Sequence, residues 1–401
     1  MISVREALQN ILAAVTPLPG ERVPLANAAG RFTGAEVVSP VNLPPSDNSS
    51  VDGYAVRADD LAGATAQTPI TLSLAGCSPA GGVYLGTMQP GECVRVFTGS
   101  VMPRGADAVV MQEEVATEPG QPRKVAFREV VRPFENIRFL GEDVRQQEVL
   151  VGAGEKLTAG RVGLLAATGV EKVACGKQPV IALLATGNEL REAGRPLGLG
   201  GIYESNRVSL SMLARQAGAI AETPPLVTDD LPLTKFALER AFSDCDAVVT
   251  TGGISVGDLD WVRPAFQEIG GELDFFGVDV RPGKPFAFGR RMGKLFFGLP
   301  GNPVSAMVTF YLLVRPALLR MQGAQNVLPP HRSASLAGPL VNDGGRRHFM
   351  RVTIDAEGQV HSAGKQASHV LTATARSDGL VDVPPNTTLA AGTLVKVLLW
   401  D

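Results

Sequence analysis

Carboxylates follow three apolar runs after about residue 177. Each run is followed by one or two acids: Glu189, then Asp229 with Asp230, then Asp258 with Asp260. If the runs are parallel strands, these acids converge at one sheet edge, where they repel one another unless a cation is bound. Oxygen ligands of this kind suit Mg²⁺, which commonly bridges one or two carboxylates and substrate phosphates. Alternatively, the acids are solvated turn residues or helix caps, the preferred interpretation for Asp229 and Asp230 taken separately.

The stretch "TTGGISVGDLDW", residues 250–261, places glycines directly before two of these acids. A backbone without side chains allows a phosphate group to approach closely. For Asp258 and Asp260, the glycines on one side and the cations nearby favour a role in binding a metal and a phosphate.

Another glycine-containing loop, "GLPGNPVS", precedes a predicted helix. Asn302 is a good N-cap residue, Pro303 suits the first helical position, and the apolar residues that follow recur at helical spacing. Free N–H groups at this helix start, near Gly301 and Ser305, would form an oxyanion or phosphate site. Taken alone, the segment fits an ordinary capped helix equally well, because good caps are common.

Two cations lie in "VRPGKPFAFG", where prolines flank Arg281 and Lys284. Fixed positive groups suit an anionic ligand, although most such side chains simply face solvent. The sequence has no P-loop motif and no G-x-G-x-x-G after a strand, so it indicates neither a P-loop kinase nor a Rossmann enzyme. It also has no G-x-S-x-G and no plausible Cys–His pair, which argues against covalent hydrolysis.

Composition limits the class of protein. A chain of 401 residues predicts two to four domains, and 45% hydrophobic with 19% charged residues is typical of a soluble globular protein. A net charge of -3 predicts no nucleic-acid or anionic-membrane partner. The four cysteines are scattered, which fits a reducing, cytoplasmic location. The amphipathic start, with Ser3 and Glu6 as a capping box, predicts a helix and not a signal peptide, and no apolar run is long enough to span a membrane.

The elements that position these residues follow from the runs between glycines and prolines. Strand-like runs at residues 70–74, 93–97, 108–111 and 124–127 predict a β-rich module, inserted between helical segments at the N-terminus and at residues 158–168. From about residue 177, the apolar runs of "PVIALLATGNEL", "DAVVTTGGISVGD" and "KLFFGLPGNPVS" end in the first, second and third glycine-containing loops, and helical segments lie between them. This alternation predicts a parallel sheet with crossover helices. Ligands bind such sheets at the carboxyl ends of the strands, where all three loops fall.

Six motifs, in order along nearly the whole chain, resemble those of one family. They are "NSSVDGYAVR", "RVFTGSVMPRGADAVV", "NIRFLGEDV", "TGGISVGDLD", "RPGKP" and "GLPGNPVS". The resemblance is to the molybdopterin molybdenumtransferases, the MoeA-type proteins related to the E domains of gephyrin and of plant molybdenum-cofactor synthases. It implies a cytoplasmic transferase that converts adenylylated molybdopterin and molybdate, with Mg²⁺, to molybdenum cofactor and AMP. It also implies an elongated homodimer, with other molybdenum cofactor biosynthesis proteins as further partners.

Together the runs and the resemblance predict a multi-domain α/β plus β fold. The predicted units are an elongated linker and dimerisation domain (1–45 with 144–176), an inserted β-rich domain (46–143), an α/β domain with a parallel sheet and the molybdopterin-binding fold (177–328), and a small β-barrel-like C-terminal domain (329–401).

The resemblance also implies roles for individual residues. The metal ligands would be Glu189, Asp229, Asp258 and Asp260. Catalytic positions would be Asp52, Thr98, Asp143, Glu189, Asp229, Asp260 and Lys284, of which the first three would approach from the partner subunit. Residues binding the pterin, phosphates or molybdate would be Thr186, Gly187, Gly252, Gly253, Ser255, Asp258, Arg281, Pro300, Gly301, Asn302, Pro303, Ser305, Arg351 and Ser368.

The sequence departs from the family at three positions. Asn188 stands where an acid is common, Arg281 stands where a lysine is common, and Gly277 stands at a position that is often basic. An arginine fork binds oxyanions in a different geometry from a lysine ammonium, which leaves the choice between molybdate and tungstate open. Two alternative functions are the preceding adenylyltransferase, which needs only the α/β domain, and a non-catalytic cofactor carrier or scaffold.

Overall fold

The N-terminal helix is the first element of the computed structural model, which describes residues 1–117, 121, 123–254 and 260–400. It spans Val4–Ala14, and it begins there because the hydroxyl of Ser3 accepts a hydrogen bond from the N–H of Glu6 (3.1 Å). Its buried face, with Ala7 and Ile11, packs into the largest hydrophobic core.

The segments on either side of the β-rich insertion pair with each other. Gly20–Pro24 pairs antiparallel with Lys172–Gly176, and Val37–Val38 pairs with Val149–Val151. The helix Ala159–Ala167 begins where the Thr158 hydroxyl accepts from the N–H of Arg161. This pairing fits a single domain interrupted by an insertion, and the domain boundaries stay a prediction.

The inserted segment forms a mixed sheet around a core that includes Cys93, Val125 and Phe127. In spatial order its strands are Ala108–Met111, Gly53–Val56, Glu92–Val96, Ile70–Ser78, Lys124–Phe127 and Val115–Thr117. Short turns of 3-10 helix lie at Leu25–Asn27, Ala58–Leu61 and Gln112–Glu114, and Asn48–Ser49 pairs with Ile137–Arg138. The four strand-like runs predicted from the sequence are all strands.

The α/β sheet is mixed, whereas the pattern of runs predicts a parallel one. Its strands in spatial order are Ile220–Glu222, Val180–Ala185, Ala247–Thr251, Lys294–Leu299, Ala287–Arg291 and Glu272–Phe276. The first four are parallel, but Ala287–Arg291 runs antiparallel to both of its neighbours. The reversal follows from a tight turn in which Met292 (φ 50°) and Gly293 (φ 76°) both adopt positive φ, the geometry of a hairpin.

Helices cover both faces of this sheet because its central strands are apolar on both sides. Ile181 and Leu183 face one core, which also contains the helix Asn206–Gln216, while Ala182 and Leu184 face another. The second core is closed by the helices Leu231–Asp244 and Val262–Glu268, whose Phe242 and Phe266 rings stack. Alternation of side chains along a strand produces these two layers.

One buried helix runs through Pro303–Thr309, a π-helical turn at Phe310–Val314, and Arg315–Met321. Of the helices in the described part of the chain, Pro303–Met321 alone is long and apolar enough to cross a membrane by length and composition. Its window is 89% buried inside the protein, as expected of a core helix.

The C-terminal sheet receives a strand from the preceding segment. Its strands in spatial order are Val280–Arg281, Arg347–Ile354, Gly379–Val383, Leu394–Leu399 and His331–Ser335, with Val360–Ser362 paired to Arg347–Ile354. Leu340–Asn342 pairs with Thr387–Leu389, and a short helix spans Leu371–Ala375. Because Val280–Arg281 pairs with Arg347–His348 in register, the α/β segment and the C-terminal segment share this sheet.

Candidate functional site

A cavity of about 680 Å³ lies at the carboxyl ends of the parallel strands. All three glycine-containing loops contribute to its wall. The predicted site residues that line it are Thr186, Gly187, Glu189, Asp229, Gly252, Gly253, Asp260, Pro300, Gly301, Asn302 and Pro303. Ser255 and Asp258, also predicted to bind here, lie outside the described residues.

The glycines of these loops are required because the loops pack on one another. Gly252 has φ +83°, and a Cβ there would lie 2.8 Å from the carbonyl oxygen of Thr186. At Gly253 (φ +60°) a Cβ would lie 2.6 Å from the Thr186 hydroxyl. The N–H of Gly252 donates to the carbonyl of Leu299 (3.3 Å), which ties the second loop to the third. Packing between the loops therefore requires glycine at these positions, independently of any bound phosphate.

The acids at residues 229 and 230 have different roles despite being adjacent. Asp230 caps the helix Leu231–Asp244 by accepting from the N–H of Leu233 (2.8 Å), as the cap interpretation predicts. Asp229 instead lines the cavity, and its carboxylate accepts from the N–H of Asn188 (3.0 Å). The Asn188 side-chain oxygen accepts in return from the N–H of Asp229 (3.1 Å). This reciprocal pair fixes Asp229 beside the first loop.

The cavity is acidic. Glu189, Glu204, Asp229 and Asp260 line it, and no lysine or arginine does so among the residues that the structure describes. The buried carboxylate of Glu204 is paired with Arg207, 3.1 Å away. No group of three His, Cys, Asp or Glu close enough to hold a metal is found in residues 1–117, 121, 123–254 and 260–400. Separated carboxylates fit a hydrated divalent cation that takes one or two protein ligands and completes its shell with water and phosphate.

Sequence reasoning missed several polar residues of the cavity wall, among them Glu204 and Asn206. Asn206 begins the helix Asn206–Gln216, and its side-chain amide donates to the Thr251 hydroxyl (2.7 Å) and to the carbonyl of Gly301 (2.8 Å). The available signal was the position of "ESN" at the predicted start of a crossover helix, next to the carboxyl edge of the sheet.

Comparisons with known proteins agree along the whole chain. Family models for the MoeA N-terminal region (domain I and II), a probable molybdopterin binding domain and the MoeA C-terminal region (domain IV) match residues 2–169, 182–320 and 333–400. The molybdopterin molybdenumtransferase of Haemophilus influenzae is 38% identical over 384 residues, covering 94% of this chain and 93% of that protein. The chain belongs to the MoeA family.

Two further MoeA relatives support this assignment, which confirms the resemblance identified from the motifs. Molybdopterin molybdenumtransferase 2 of Mycobacterium tuberculosis is 39% identical over 386 residues, covering 94% of each chain. The crystal structure of the molybdopterin biosynthesis moeA protein from Pyrococcus horikoshii OT3 superposes with a TM-score of 0.86 at 31% identity, covering all of both chains.

The cations of this MoeA chain lie elsewhere than predicted. Lys284 lines a second cavity of about 560 Å³, together with Met1, Asp279 and Arg346, and not the cavity of the glycine loops. Arg281 lies 3.9 Å from Asp343. The physical reason is that Val280–Arg281 is a strand of the C-terminal sheet, which directs this segment away from the glycine loops. Of the five residues of "RPGKP", only Pro285 lines the first cavity.

The start of the helix at Pro303 also differs from the prediction of free N–H groups. Pro303 has no N–H, and the N–H of Val304 donates to the carbonyl of Ser368 (3.2 Å). The Asn302 side chain makes no capping bond, and the side chain of Ser305 is buried and does not line the cavity. The C-terminal segment around Ser368 therefore occupies part of the expected anion site.

Arg351 is fully buried (0% exposed) on the C-terminal sheet. One of its terminal nitrogens donates to the carbonyls of Lys365 and Ala367 (both 3.1 Å), while its Nε and Nη1 have no partner in the described part of the chain. Burial, and then the charge of Arg281, lower its pKa to about 10. Nearby His348 is also buried, and burial followed by the charges of the surrounding arginines lowers its pKa to about 4.

Asp52, Thr98 and Asp143 do not line the cavity of their own chain. The N–H and the hydroxyl of Thr98 both donate to one carboxylate oxygen of Asp52, at 2.8 and 2.9 Å. These two bonds, and then the charge of Arg95, hold the pKa of Asp52 below its ordinary value. Asp143 is exposed, and its N–H donates to the carbonyl of Leu43 (3.0 Å).

Proposed function

We propose that this chain is a molybdopterin molybdenumtransferase, which inserts molybdenum from molybdate into adenylylated molybdopterin and releases AMP. Relatives with this name match at 38% and 39% identity over nearly their whole length. The observation that carries the proposal is the convergence of three glycine-containing loops and three predicted acids on one cavity at the sheet edge. Ligands of open α/β sheets bind at this edge.

The acidic wall implies that an anionic substrate binds together with a cation. Mg²⁺, when bound, would offset the charge of the substrate phosphates and polarise them. One or two of the carboxylates of Glu189, Asp229 and Asp260 would hold this hydrated ion, with Asp229 oriented by Asn188. Gly252 and Gly253 line the cavity without side chains, so the phosphates can approach their backbone.

Molybdate would bind on the side of the C-terminal segment. Arg351 is a buried cation with two nitrogens that lack partners in the described part of the chain, and such donors favour an oxyanion. Ser368 lies against the start of the helix at Pro303, next to the cavity wall. Arg281 would add positive charge near Arg351, whose pKa its charge lowers.

We also propose a cytoplasmic homodimer in which Asp52, Thr98 and Asp143 complete the partner's cavity. Exposed apolar side chains near these residues support a protein interface: Val130, Phe134, Phe139 and Leu140 are 61%, 61%, 43% and 52% exposed. The rings of Phe134 and Phe139 contact each other edge to face, with centroids 5.8 Å apart. Clustered exposed apolar side chains of this kind mark interaction sites.

The decisive experiment supplies purified protein with adenylylated molybdopterin, Mg²⁺ and molybdate. We expect AMP release that depends on molybdate. Consumption of ATP with molybdopterin, independent of molybdate, would instead indicate the adenylyltransferase. If neither reaction occurs although the substrate binds, the carrier or scaffold alternative is supported.

A further inference from the structure

The side chain of Asn206 is buried in the wall of the cavity, and its nitrogen and oxygen differ in their hydrogen bonding. Its side chain is only 9% exposed. Its nitrogen donates one hydrogen to the Thr251 hydroxyl (2.7 Å) and the other to the carbonyl of Gly301 (2.8 Å). Its side-chain oxygen has no hydrogen bond to any residue in the described ranges.

The orientation of this amide is fixed by its neighbours. The single hydrogen of the Thr251 hydroxyl is donated to the carbonyl of Pro300 (3.1 Å), so this hydroxyl can only accept from Asn206. If the amide were flipped, the Asn206 oxygen would face the carbonyl oxygen of Gly301, and two acceptors cannot form a hydrogen bond. The side-chain oxygen of Asn206 is therefore an obligate acceptor.

The same amide joins two of the three loops that form the cavity. Thr251 ends the strand before the glycine pair, and Gly301 belongs to the loop before the buried helix. The added Cβ of an alanine at Gly301 would lie 3.5 Å from the Cα of Gly252, so these loops are in contact where Asn206 holds them. A ligand that reaches the loops also reaches this acceptor.

We propose that Asn206 is a specificity residue that accepts a hydrogen bond from the exocyclic amino group of the substrate's heterocycle. This inference rests on the proposed function, which supplies two such heterocycles, the pterin and the adenine of adenylylated molybdopterin. Phosphates and molybdate carry only acceptors at neutral pH, so they cannot satisfy the Asn206 oxygen. A ligand that excludes water from this oxygen without donating an amino hydrogen to it is disfavoured, because the acceptor is then left unpaired.

The test removes the N–H from the ligand and the acceptor from the protein. AMP is compared with purine riboside 5′-monophosphate, which lacks the amino group, and pterin-6-carboxylate is compared with lumazine-6-carboxylate, which lacks the 2-amino group. Binding of all four to the full-length protein is measured by calorimetry with Mg²⁺. We expect the wild type to prefer the amino-bearing member of one pair about tenfold, which identifies the heterocycle at Asn206.

Asn206→Ala should abolish that preference. Thr251→Val is the matched control, because it removes one partner of the amide but leaves the Asn206 oxygen in place; it should retain the preference. If Asn206→Ala does not fold, Asn206→Ser replaces it and should also lose the preference. Retention of the preference in the Asn206 variant, or equal binding within both pairs by the wild type, would overturn the inference.

Failure of the inference and of the proposed function can be separated. A wild type that binds none of the four probes but releases AMP from adenylylated molybdopterin contradicts only the role of Asn206. A protein that shows the Asn206-dependent preference but no molybdate-dependent AMP release contradicts only the transferase.

Discussion

The carboxylates at the sheet edge are individual residues with separate tasks. Asp230 serves its own helix, Asp229 is held beside the first loop by Asn188, and Asp260 lines the cavity. At residue 188, where the resemblance implies that an acid is common, the backbone N–H of Asn188 donates to the Asp229 carboxylate and the Asn188 side-chain oxygen accepts from the N–H of Asp229. The substitution therefore removes a negative charge and keeps Asp229 in place.

Asp260→Ala should abolish AMP release and leave the protein folded. If the carboxylate holds a divalent cation, its loss should lower turnover by about 100-fold or more. Asp230→Ala is the matched control, because loss of the helix cap should cost about 1 kcal/mol of stability with turnover retained. Turnover and the free energy of unfolding are measured for both variants. Wild-type turnover in Asp260→Ala would contradict the metal assignment.

His348 should make the protein less stable in mild acid. Its pKa in the folded protein is about 4, below the ordinary value of 6.5. Above pH 6.5 the ring is neutral in both the folded protein and the unfolded chain, so the protein has its full stability. As the pH falls from 6.5 toward 4, the unfolded chain takes up a proton that the folded protein does not, and stability is lost. The loss between pH 7 and pH 5 is about 2 kcal/mol.

The measurement compares denaturant unfolding of the wild type and of His348→Met at pH 7 and pH 5. The variant should lose less stability than the wild type over this interval. His369→Met is the control, because this side chain is exposed in the folded protein as well as in the unfolded chain. Equal losses in the wild type and in His348→Met would show that the buried ring does not set this pH dependence.

The loop after the strand Ala247–Thr251 is an element in which backbone geometry can be tested with a matched pair of glycines. Gly252 and Gly270 have nearly equal φ angles, +83° and +82°, but only at Gly252 would an added Cβ meet another atom within 4 Å. Gly270→Ala should therefore cost about 1 kcal/mol of stability from the left-handed backbone alone. Gly252→Ala adds a contact of 2.8 Å with the carbonyl oxygen of Thr186 and should cost about 1–3 kcal/mol more.

Denaturant titration of the two variants gives this difference directly. Equal destabilisation would mean that the loop from Thr186 moves aside freely. In that case the packing of the loops on one another would not explain the glycine at residue 252.

Sequence patterns predicted most elements because the relevant signals are local. The capping serine at residue 3, the apolar strand Ala247–Thr251 and the proline at the start of the buried helix each fix structure within a few residues. The family motifs predicted the fold that the comparisons confirm.

Long-range partners were not predictable in the same way. No local sequence pattern shows that Val280–Arg281 pairs with the C-terminal sheet or that Ala287–Arg291 reverses direction. None shows that the carbonyl of Ser368 accepts a hydrogen bond from the N–H of Val304. Asn206 was missed for a related reason, since its importance depends on contacts with Thr251 and Gly301, which are 45 and 95 residues away.

For the whole molecule, the proposed homodimer makes a quantitative prediction. If Asp52 acts in the partner's cavity, Asp52→Ala and Asp260→Ala inactivate different components of each site. Mixed dimers of the two variants would then contain one intact site. Random subunit exchange should restore about a quarter of wild-type turnover, because half of the dimers are mixed and each has one of two sites. No recovery after verified exchange would place Asp52 in its own subunit's site or outside catalysis.

The account as a whole depends on an acidic cavity that accepts an anionic substrate only with a divalent cation. Equilibrium binding of adenylylated molybdopterin to the wild type, measured with Mg²⁺ and again with EDTA, tests this most directly. We expect binding to be roughly tenfold or more tighter with Mg²⁺, because the ion offsets repulsion between the phosphates and the carboxylates. Equal or tighter binding in EDTA would contradict the account.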